Sequence, residues 1–265
     1  MQRQPAEKAT PRPAISPQVS LDARFTHAQL VRLSQLERWH FWFVGRRVLI
    51  DRLLDKYLNG KAQFVLDLGC GTGLMVDILM QQGHRVVGLD IRPEGLRATR
   101  QAQPESWLLQ AEATHLPLAE NVFDAVMLLD VLEHVDDRAL LAGVHRILRP
   151  GGLVLITVPA MPWLWSGRDE AAHHLRRYTR RHLSRVLGNA QFSIEEVRYY
   201  QCLLMPIVAI TRFLGRRRPG PRGFEERPPS LVNTILTWVN TLEVKLSDRI
   251  PWPWGSSLVA IGRKQ

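Results

Sequence analysis

Short apolar runs alternate with stretches of helical periodicity from residue 64 to the last residues of the chain. Runs of this length, bounded by turn residues, are typical of strands buried on both faces of a parallel sheet. They predict strands at 64–68, 85–90, 107–111, 125–130, 153–158, 192–200 and 257–263. Apolar residues spaced three and four apart predict helices at 46–58, 74–82, 138–148, 179–187 and 231–246. The alternation of strands and helices predicts an α/β fold with a doubly wound sheet.

Three alternating glycines, Gly69, Gly71 and Gly73, follow the first predicted strand. Glycine lets the backbone turn sharply and approach a ligand closely, so strand, turn and helix predict half of a nucleotide-binding unit. Asp90 ends the second strand about 20 residues later, where a carboxylate accepts the hydroxyls of a ribose. The third glycine comes one residue too early for a dinucleotide site, and Asp67 places a carboxylate where a diphosphate would lie. The turn therefore favours a ligand with an ammonium group.

On these residues the chain resembles the class I S-adenosylmethionine-dependent methyltransferases, whose first motif is an acidic residue followed by Gly-x-Gly-x-Gly. The resemblance continues through residues 112–117, 123–126, 132–135 and 148–152. It implies a Rossmann-like seven-stranded sheet in the order 3-2-1-4-5-7-6, with the last strand antiparallel, and S-adenosyl-L-methionine as the cofactor.

The same resemblance implies which residues hold the cofactor. The glycines pass under its methionine portion, Asp67 faces its ammonium group, Asp90 takes the ribose hydroxyls and Glu112 lies near the adenine. The predicted set is Asp67, Gly69, Cys70, Gly71, Gly73, Asp90, Ile91, Glu112, Ala113 and Asp130.

Asp130, Glu133 and His134 cluster at the exit of the fourth predicted strand. Their spacing permits ligation of a hard metal ion or a general base, for which His134 is the candidate. The cluster resembles the Glu-x-x-Glu-His segment of ubiquinone-biosynthesis O-methyltransferases, in which a divalent ion helps to position the substrate. Metal-free relatives share Leu-Glu-His-Val, so we favour structural packing and expect no metal.

The segment after the fifth predicted strand lies where open α/β sheets bind substrates. Its residues resemble those of a bacterial methyltransferase subgroup often linked to glycolipid or polysaccharide synthesis. His174 is the candidate base for a hydroxyl nucleophile. The candidate acceptor-binding residues are Trp165, Arg176, Arg177 and Tyr178. The alternative for the arginines is pairing with nearby carboxylates or helix carbonyls.

The chain is predicted to divide into five parts. These are a disordered tail (1–24), an N-terminal helical lid (25–61), the cofactor-binding core (62–200), a helical basic insertion (201–250) and the final strand of the core (251–265). The aromatic residues at 39–43 either form a lid over the site or pack the N-terminal helices on the sheet. The insertion combines an apolar segment, 202–214, with an arginine-rich loop, 216–223. Residues 201–223 either contact a membrane surface or cover the mouth of the site.

Charge and cysteine content limit the function further. The net charge is +10, but the basic excess lies outside residues 62–160, which are acidic overall. The sequence has only two cysteines, no apolar run long enough to span a membrane and no apolar core of a signal peptide. These features predict a cytoplasmic protein. If the insertion binds a membrane, the protein would lie at its inner face.

The expected activity is methyl transfer to oxygen of a small-molecule, glycan or lipid-linked acceptor. Basic flanks raise the alternative of an RNA or protein methyltransferase. We expect no nucleic-acid partner, because the sequence has no recognisable RNA-binding module and no Asn/Asp-Pro-Pro-Tyr motif. A protein that binds the cofactor without catalysis is the third alternative.

Overall fold

The computed structural model describes residues 34–58, 63–215 and 228–265. Its strands are β1 (Phe64–Leu68), β2 (Arg85–Asp90), β3 (Trp107–Gln110), β4 (Phe123–Leu129), β5 (Leu148–Pro159), β6 (Phe192–Tyr200) and β7 (Ser257–Lys264). They form one sheet in the order β3-β2-β1-β4-β5-β7-β6. Pairing is parallel from β3 to β5, and β7 runs antiparallel to both β5 and β6. The predicted fold class and strand order are confirmed.

Helices cover both faces of the sheet. They are α1 (Phe41–Leu58), α2 (Leu74–Gln81), α3 (Pro93–Ala102), α4 (Asp137–Ile147), α5 (Gly167–Ala171), α6 (Arg180–Asn189), α7 (Met205–Gly215) and α8 (Ser230–Leu246). Successive β1 residues enter opposite cores: Val65 packs with α1 and α2, and Leu66 packs with α4 and α6. This alternation is the period of two that a strand buried on both faces requires.

Side chains cap the start of two helices. Asp136 Oδ1 accepts hydrogen bonds from the backbone N–H groups of Arg138 and Ala139, both at 3.0 Å. Thr179 Oγ1 accepts one from the backbone N–H of His182 at 3.1 Å. Each cap satisfies donors that the first turn of a helix leaves without a partner.

Several predicted boundaries differ from the structure, and two of the differences have a clear cause. Helix α1 begins at Phe41 rather than residue 46, so the aromatic segment is mostly helical and continuous with the helix that follows. Helix α4 ends at Ile147, and Leu148 already pairs with Phe123 as the start of β5. Gly151, with φ at 79°, therefore lies within β5 and does not end the helix. Strand pairing overrides the local glycine signal here.

Other predictions lie outside the described residues. These are the disordered tail, residues 25–33 of the predicted helical lid, and the basic loop at 216–223. Residues 34–37 form one helical turn that leads into α1.

The N-terminal helix and the insertion pack together over the sheet. Asn233 of α8 accepts a hydrogen bond from the backbone N–H of Phe41 at 2.9 Å and donates to the carbonyl of Trp39 at 2.8 Å. A Cβ at Gly45 would lie only 2.0 Å from the Asn240 amide, so glycine permits α1 and α8 to approach closely. No helix among the described residues has both the length and the apolar character to span a bilayer.

Candidate active site

A cavity of about 500 Å³ opens at the carboxyl ends of β1, β2 and β4. This edge is where open α/β sheets bind their ligands. Its walls come from the glycine turn, the ends of β2 and β3, the start of α1, and the segments that follow β4 and α5. All the residues predicted to bind the cofactor line it except Gly73, and both candidate histidines, His134 and His174, line it too.

The glycine turn brings bare backbone to the floor of the cavity. Gly69 has φ at 82°, and a Cβ there would lie 2.5 Å from the side chain of Val131. On the outer side, a Cβ at Gly95 of α3 would lie 2.3 Å from the carbonyl oxygen of Gly71. The turn is therefore confined between the segment after β4 and the first turn of α3, and its shape depends on glycine at several positions.

Asp90 fastens the turn to β2. Its Oδ2 accepts a hydrogen bond from the backbone N–H of Gly71, and its Oδ1 accepts one from that of Arg92, both at 2.9 Å. Each carboxylate oxygen retains a further lone pair. The buried carboxylate can therefore hold the turn and still accept two ligand hydroxyls.

Asp67 lies almost fully buried at the cavity wall, at the end of β1. Burial raises the pKa of its carboxyl group to about 7, against the opposing effect of Arg46, and the nearby carboxylates of Asp90 and Glu37 add to the rise. A buried carboxyl group of this kind is stabilised in its ionised form by an added cation. The ammonium group of S-adenosylmethionine fits this requirement.

The adenine end of the predicted site is more open. Glu112 is exposed and accepts a hydrogen bond from Thr114 Oγ1 at 2.8 Å. Ile91 and Ala113 also line the cavity. Cys70 is buried beneath the turn, where desolvation raises the pKa of its thiol, so a thiolate nucleophile is disfavoured.

Arg46 is a cavity residue that the sequence analysis missed. It extends from α1 to form an ion pair with Asp130, whose Oδ1 also accepts a hydrogen bond from Thr157 Oγ1 at 3.1 Å. Trp42 and Phe43, from the aromatic segment, line the same side, whereas Phe41 is buried in a small cluster with Leu204 and Leu236. The segment thus contributes both lining and packing.

A second group of side chains includes two residues that line the cavity, His134 and His174. Potential ligand atoms of Glu133, His134 and His174 all lie within 4.8 Å of one another. Asp130 is held by Arg46 instead, so the structure does not assemble the cluster of Asp130, Glu133 and His134 that the sequence suggests. His174 is contributed by a distant segment that sequence spacing does not connect with Glu133.

The ionisation of this group is unusual. Glu133 is fully buried, neither of its carboxyl oxygens has a hydrogen-bond partner, and burial raises its pKa well above the ordinary value. Burial and the neighbouring His174 lower the pKa of His134 to about 4, so its ring is neutral. The rings of His134 and His174 meet edge to face with centroids 4.9 Å apart.

The sequence of the chain is similar to those of known methyltransferases. Residues 66–156 match the methyltransferase domain family. The chain is 29% identical over 160 residues to a probable S-adenosylmethionine-dependent methyltransferase of Mycolicibacterium smegmatis, covering 59% of this chain and 61% of that protein. It is 30% identical over 145 residues to an uncharacterized methyltransferase of Synechocystis sp., covering 48% of this chain and 68% of the relative.

The fold has solved counterparts. The structure of geranyl diphosphate methyltransferase in complex with S-adenosylmethionine superposes with a TM-score of 0.59 at 15% identity, over 90% of each chain. The chain belongs to the S-adenosylmethionine-dependent methyltransferases. It spans 61% of the length of the Mycolicibacterium relative, less than two thirds.

In this methyltransferase, Asp169 organises the side of the cavity that holds His174. Its Oδ1 lies 3.0 Å from His174 Nδ1 and accepts a hydrogen bond from Arg177 Nε at 2.7 Å, while its Oδ2 accepts one from Arg212 Nη1 at 2.7 Å. Burial alone would raise the pKa of Asp169, but the His174 hydrogen bond and the charges of Arg212 and Arg177 hold it well below its usual range. The carboxylate is therefore ionised and fully buried.

The four residues predicted to bind the acceptor do not line the cavity of the methyltransferase. Tyr178 is fully buried, with its hydroxyl 3.2 Å from Asp137 Oδ2, and Arg176 pairs with the same carboxylate at 2.9 Å. Arg177 donates to Asp169 and to the carbonyl of Ala160. Trp165 Nε1 lies 3.3 Å from Glu170 Oε1. Because Arg177 and Tyr178 are committed to internal contacts, the structure does not support their predicted contact with an acceptor.

Proposed function

We propose that the protein transfers the methyl group of S-adenosylmethionine to an oxygen atom of a small-molecule, glycan or lipid-linked acceptor. The observation that supports this most is the arrangement of one cavity. Asp67 and Asp90, the proposed cofactor ligands, line it together with His174, which a buried carboxylate contacts. We also propose a cytoplasmic location, with which the two free, buried cysteines, Cys70 and Cys202, are consistent.

In this proposal the protein orients the cofactor and excludes water, and the cofactor supplies an electrophilic methyl group on its sulfonium. The glycine turn lies under the methionine portion, Asp67 neutralises the ammonium group, and Asp90 accepts from the ribose hydroxyls. Ile91, Glu112 and Ala113 border the adenine. Asp130, held by Arg46, lines the same cavity as the histidines.

His174 is the proposed general base. If Nδ1–H donates to Asp169, a tautomer inferred from the hydrogen-bond geometry, Nε2 is the ring nitrogen that can accept a proton, and Glu133 Oε1 lies 4.0 Å from it. Nε2 would take the proton of the acceptor oxygen as that oxygen takes the methyl group from the sulfonium of the cofactor, which would be left as S-adenosylhomocysteine. The resulting imidazolium would pass its proton to solvent. His134 packs against the ring and limits its movement.

Methyl incorporation from radiolabelled S-adenosylmethionine into fractionated cell extract tests the proposal. We expect incorporation into the small-molecule, glycan or lipid fraction. His174→Gln should lower it by about 10²- to 10⁴-fold, the usual contribution of a general base, without weakening cofactor binding. His145→Gln, which alters a histidine beside Phe192 on another part of the protein, is the matched control. Incorporation only into RNA or protein, or cofactor binding without turnover, would support an alternative instead.

A further inference from the structure

Glu133, His134 and His174 form a compact group of side chains that one metal ion can bridge. A potential ligand atom from each lies within 4.8 Å of the other two, and His174 Nε2 is 4.0 Å from Glu133 Oε1. Ligand atoms around a tetrahedral zinc ion are about 3.3 Å apart, because each metal–ligand bond is about 2 Å long. Small adjustments of the three side chains therefore bring these atoms to ligand distance.

Glu133 lacks the partners that a buried carboxyl group needs. It is fully buried, and neither of its carboxyl oxygens has a hydrogen-bond partner among the described residues. The charges of Arg46 and Arg177 act on it, but Arg46 is paired with Asp130. Arg177 is paired with Asp169. Burial of a polar group without a partner is costly, and a cation bound between the carboxylate and the imidazoles would supply one.

His174 is held in the way that a metal-binding histidine usually is. Its Nδ1 lies 3.0 Å from Asp169 Oδ1, which leaves Nε2 as the nitrogen nearer to Glu133. A carboxylate on the outer ring nitrogen fixes the tautomer and the orientation of a ligating imidazole. The ring of His134 contacts that of His174, so the two imidazoles are already adjacent.

This set of ligands is not the cluster that the sequence suggests. Asp130 bonds to Arg46 and Thr157, and His174 takes its place beside Glu133. The donors thus change from two carboxylates and one imidazole to one carboxylate and two imidazoles. Imidazole donors suit zinc and similar transition-metal ions, whereas magnesium prefers oxygen ligands.

We propose that Glu133, His134 and His174 bind a divalent ion of the zinc class, and that the bound ion inhibits methyl transfer. Binding does not depend on the proposed function, but the inhibition rests on it. His174 Nε2 cannot ligate a metal and accept the proton of the acceptor at the same time, because it has a single lone pair. Cofactor binding at Asp67 and Asp90 should be unaffected.

Titration of chelator-treated, full-length protein with Zn²⁺ against a fluorescent zinc indicator tests the site. We expect a saturable site that excess Mg²⁺ does not compete for. Glu133→Gln and His174→Gln should each weaken zinc binding by at least about tenfold, the loss that removal of even an outer partner of a metal ligand can cause. His115→Gln is the matched control, because His115 is an exposed histidine beside Glu112 and reports adventitious surface binding.

Two further measurements make the test independent of variant stability. An unchanged Kd for S-adenosylmethionine shows that Glu133→Gln is folded. X-ray absorption by the zinc-loaded wild type should show nitrogen and oxygen ligands and no sulfur. No saturable binding, binding that both ligand variants retain, or sulfur ligands from Cys70 or Cys202 would overturn the site.

The inhibition is tested separately on the wild type. Zinc at concentrations that fill the site should lower methyl incorporation by about tenfold or more, and a chelator should restore it. Turnover that zinc leaves unchanged or raises would overturn the inhibition and the assignment of His174 as the base. The zinc titration still reports on the metal site in that case, so failure of the proposed function is distinguishable from failure of the site.

Discussion

His174 Nδ1 and Asp169 Oδ1 lie 3.0 Å apart, and the opposite oxygen of the same carboxylate accepts from Arg212 of the insertion. The insertion therefore reaches the proposed base through a single buried carboxylate. Helix α7, which contains Arg212, thus also helps to fix the imidazole. A change at Arg212 is accordingly expected to affect turnover although this residue does not line the cavity.

Arg212→Leu should lower both stability and turnover. Removal of one partner from a buried ion pair lowers the free energy of unfolding by about 3 kcal/mol. Because Asp169 would then be held less firmly, kcat should fall by about tenfold or more, while the Kd for S-adenosylmethionine should not change. Denaturant unfolding, initial rates and calorimetry measure the three quantities. Arg212→Lys, which keeps the charge, should recover part of the loss.

Arg52→Leu is the control for that prediction, because it breaks an exposed pair with Asp248. Such pairs contribute about 0–1 kcal/mol, so neither stability nor kcat should change much. Equal effects of the two substitutions, or an Arg212→Leu protein with normal kcat, would refute the proposed coupling.

Gly95→Ala should impair cofactor binding. Alanine normally stabilises a helix by about 1 kcal/mol relative to glycine, but here the added Cβ would lie 2.3 Å from the carbonyl oxygen of Gly71 and push the glycine turn out of position. Gly188→Ala in α6 has nothing within 4 Å of the new carbon, so it should raise the free energy of unfolding and leave binding intact. Calorimetric titration of both variants with S-adenosylmethionine gives the Kd values that test this prediction. Unchanged binding by Gly95→Ala would contradict this account of the turn.

Cofactor affinity should rise with pH through the titration of Asp67. Its pKa is about 7 in the structure, and an ammonium group close to it would favour the ionised form. At pH 6 the carboxyl group is mostly protonated, so S-adenosylmethionine should bind about tenfold more weakly than at pH 8 and displace a proton on binding. Calorimetry in buffers of different ionisation enthalpy measures both effects. The same pH dependence in Asp67→Asn would show that another group is responsible.

Glu133 should make the empty protein less stable as the pH rises. Its pKa in the folded state is raised above the ordinary value, so the native state holds a proton that the unfolded state releases. This contribution is fully present below the unfolded pKa of about 4.5 and is lost above it, by up to about 1.4 kcal/mol per pH unit. Glu133→Gln should flatten the pH dependence of the free energy of unfolding. The control is Glu195→Gln, an exposed position, which should leave the dependence of the free energy of unfolding on pH unchanged. If Glu133→Gln showed the same pH dependence as the wild type, Glu133 would not be its cause.

Local pattern was sufficient to predict most of the sheet. The predicted strand at 192–200 matches β6 at both ends, and Gly188 and Asn189 shortly before it mark its start. The strand order followed from the motifs and their resemblance to a known family. The glycine turn and its carboxylates could be assigned because residues near in sequence form this half of the site. Boundary errors occurred where tertiary contacts outweighed a local signal, as at Leu148.

The other half of the site is made of contacts distant in sequence, which leave no periodic pattern. The ion pair of Arg46 with Asp130 joins residues 84 positions apart, and that of Arg212 with Asp169 joins residues 43 apart. Local composition likewise did not reveal that Tyr178 is turned into the core. Arg176 and Arg177 looked suited to an anionic ligand, but the protein supplies its own carboxylates for them.

The first measurement to make is calorimetric titration of S-adenosylmethionine into the wild type, Asp90→Asn and Asp124→Asn. It tests whether the cofactor binds in this cavity with its ribose at Asp90. Asp124 also accepts a backbone hydrogen bond, from Phe64 at the start of β1, and so controls for the loss of a structural carboxylate. We expect binding by the wild type and Asp124→Asn, and binding at least about tenfold weaker by Asp90→Asn, whose amide is a poorer acceptor for two hydroxyls. Equal affinity for all three proteins would contradict the placement of the ribose at Asp90, and no binding by a folded wild type would contradict the cofactor site itself.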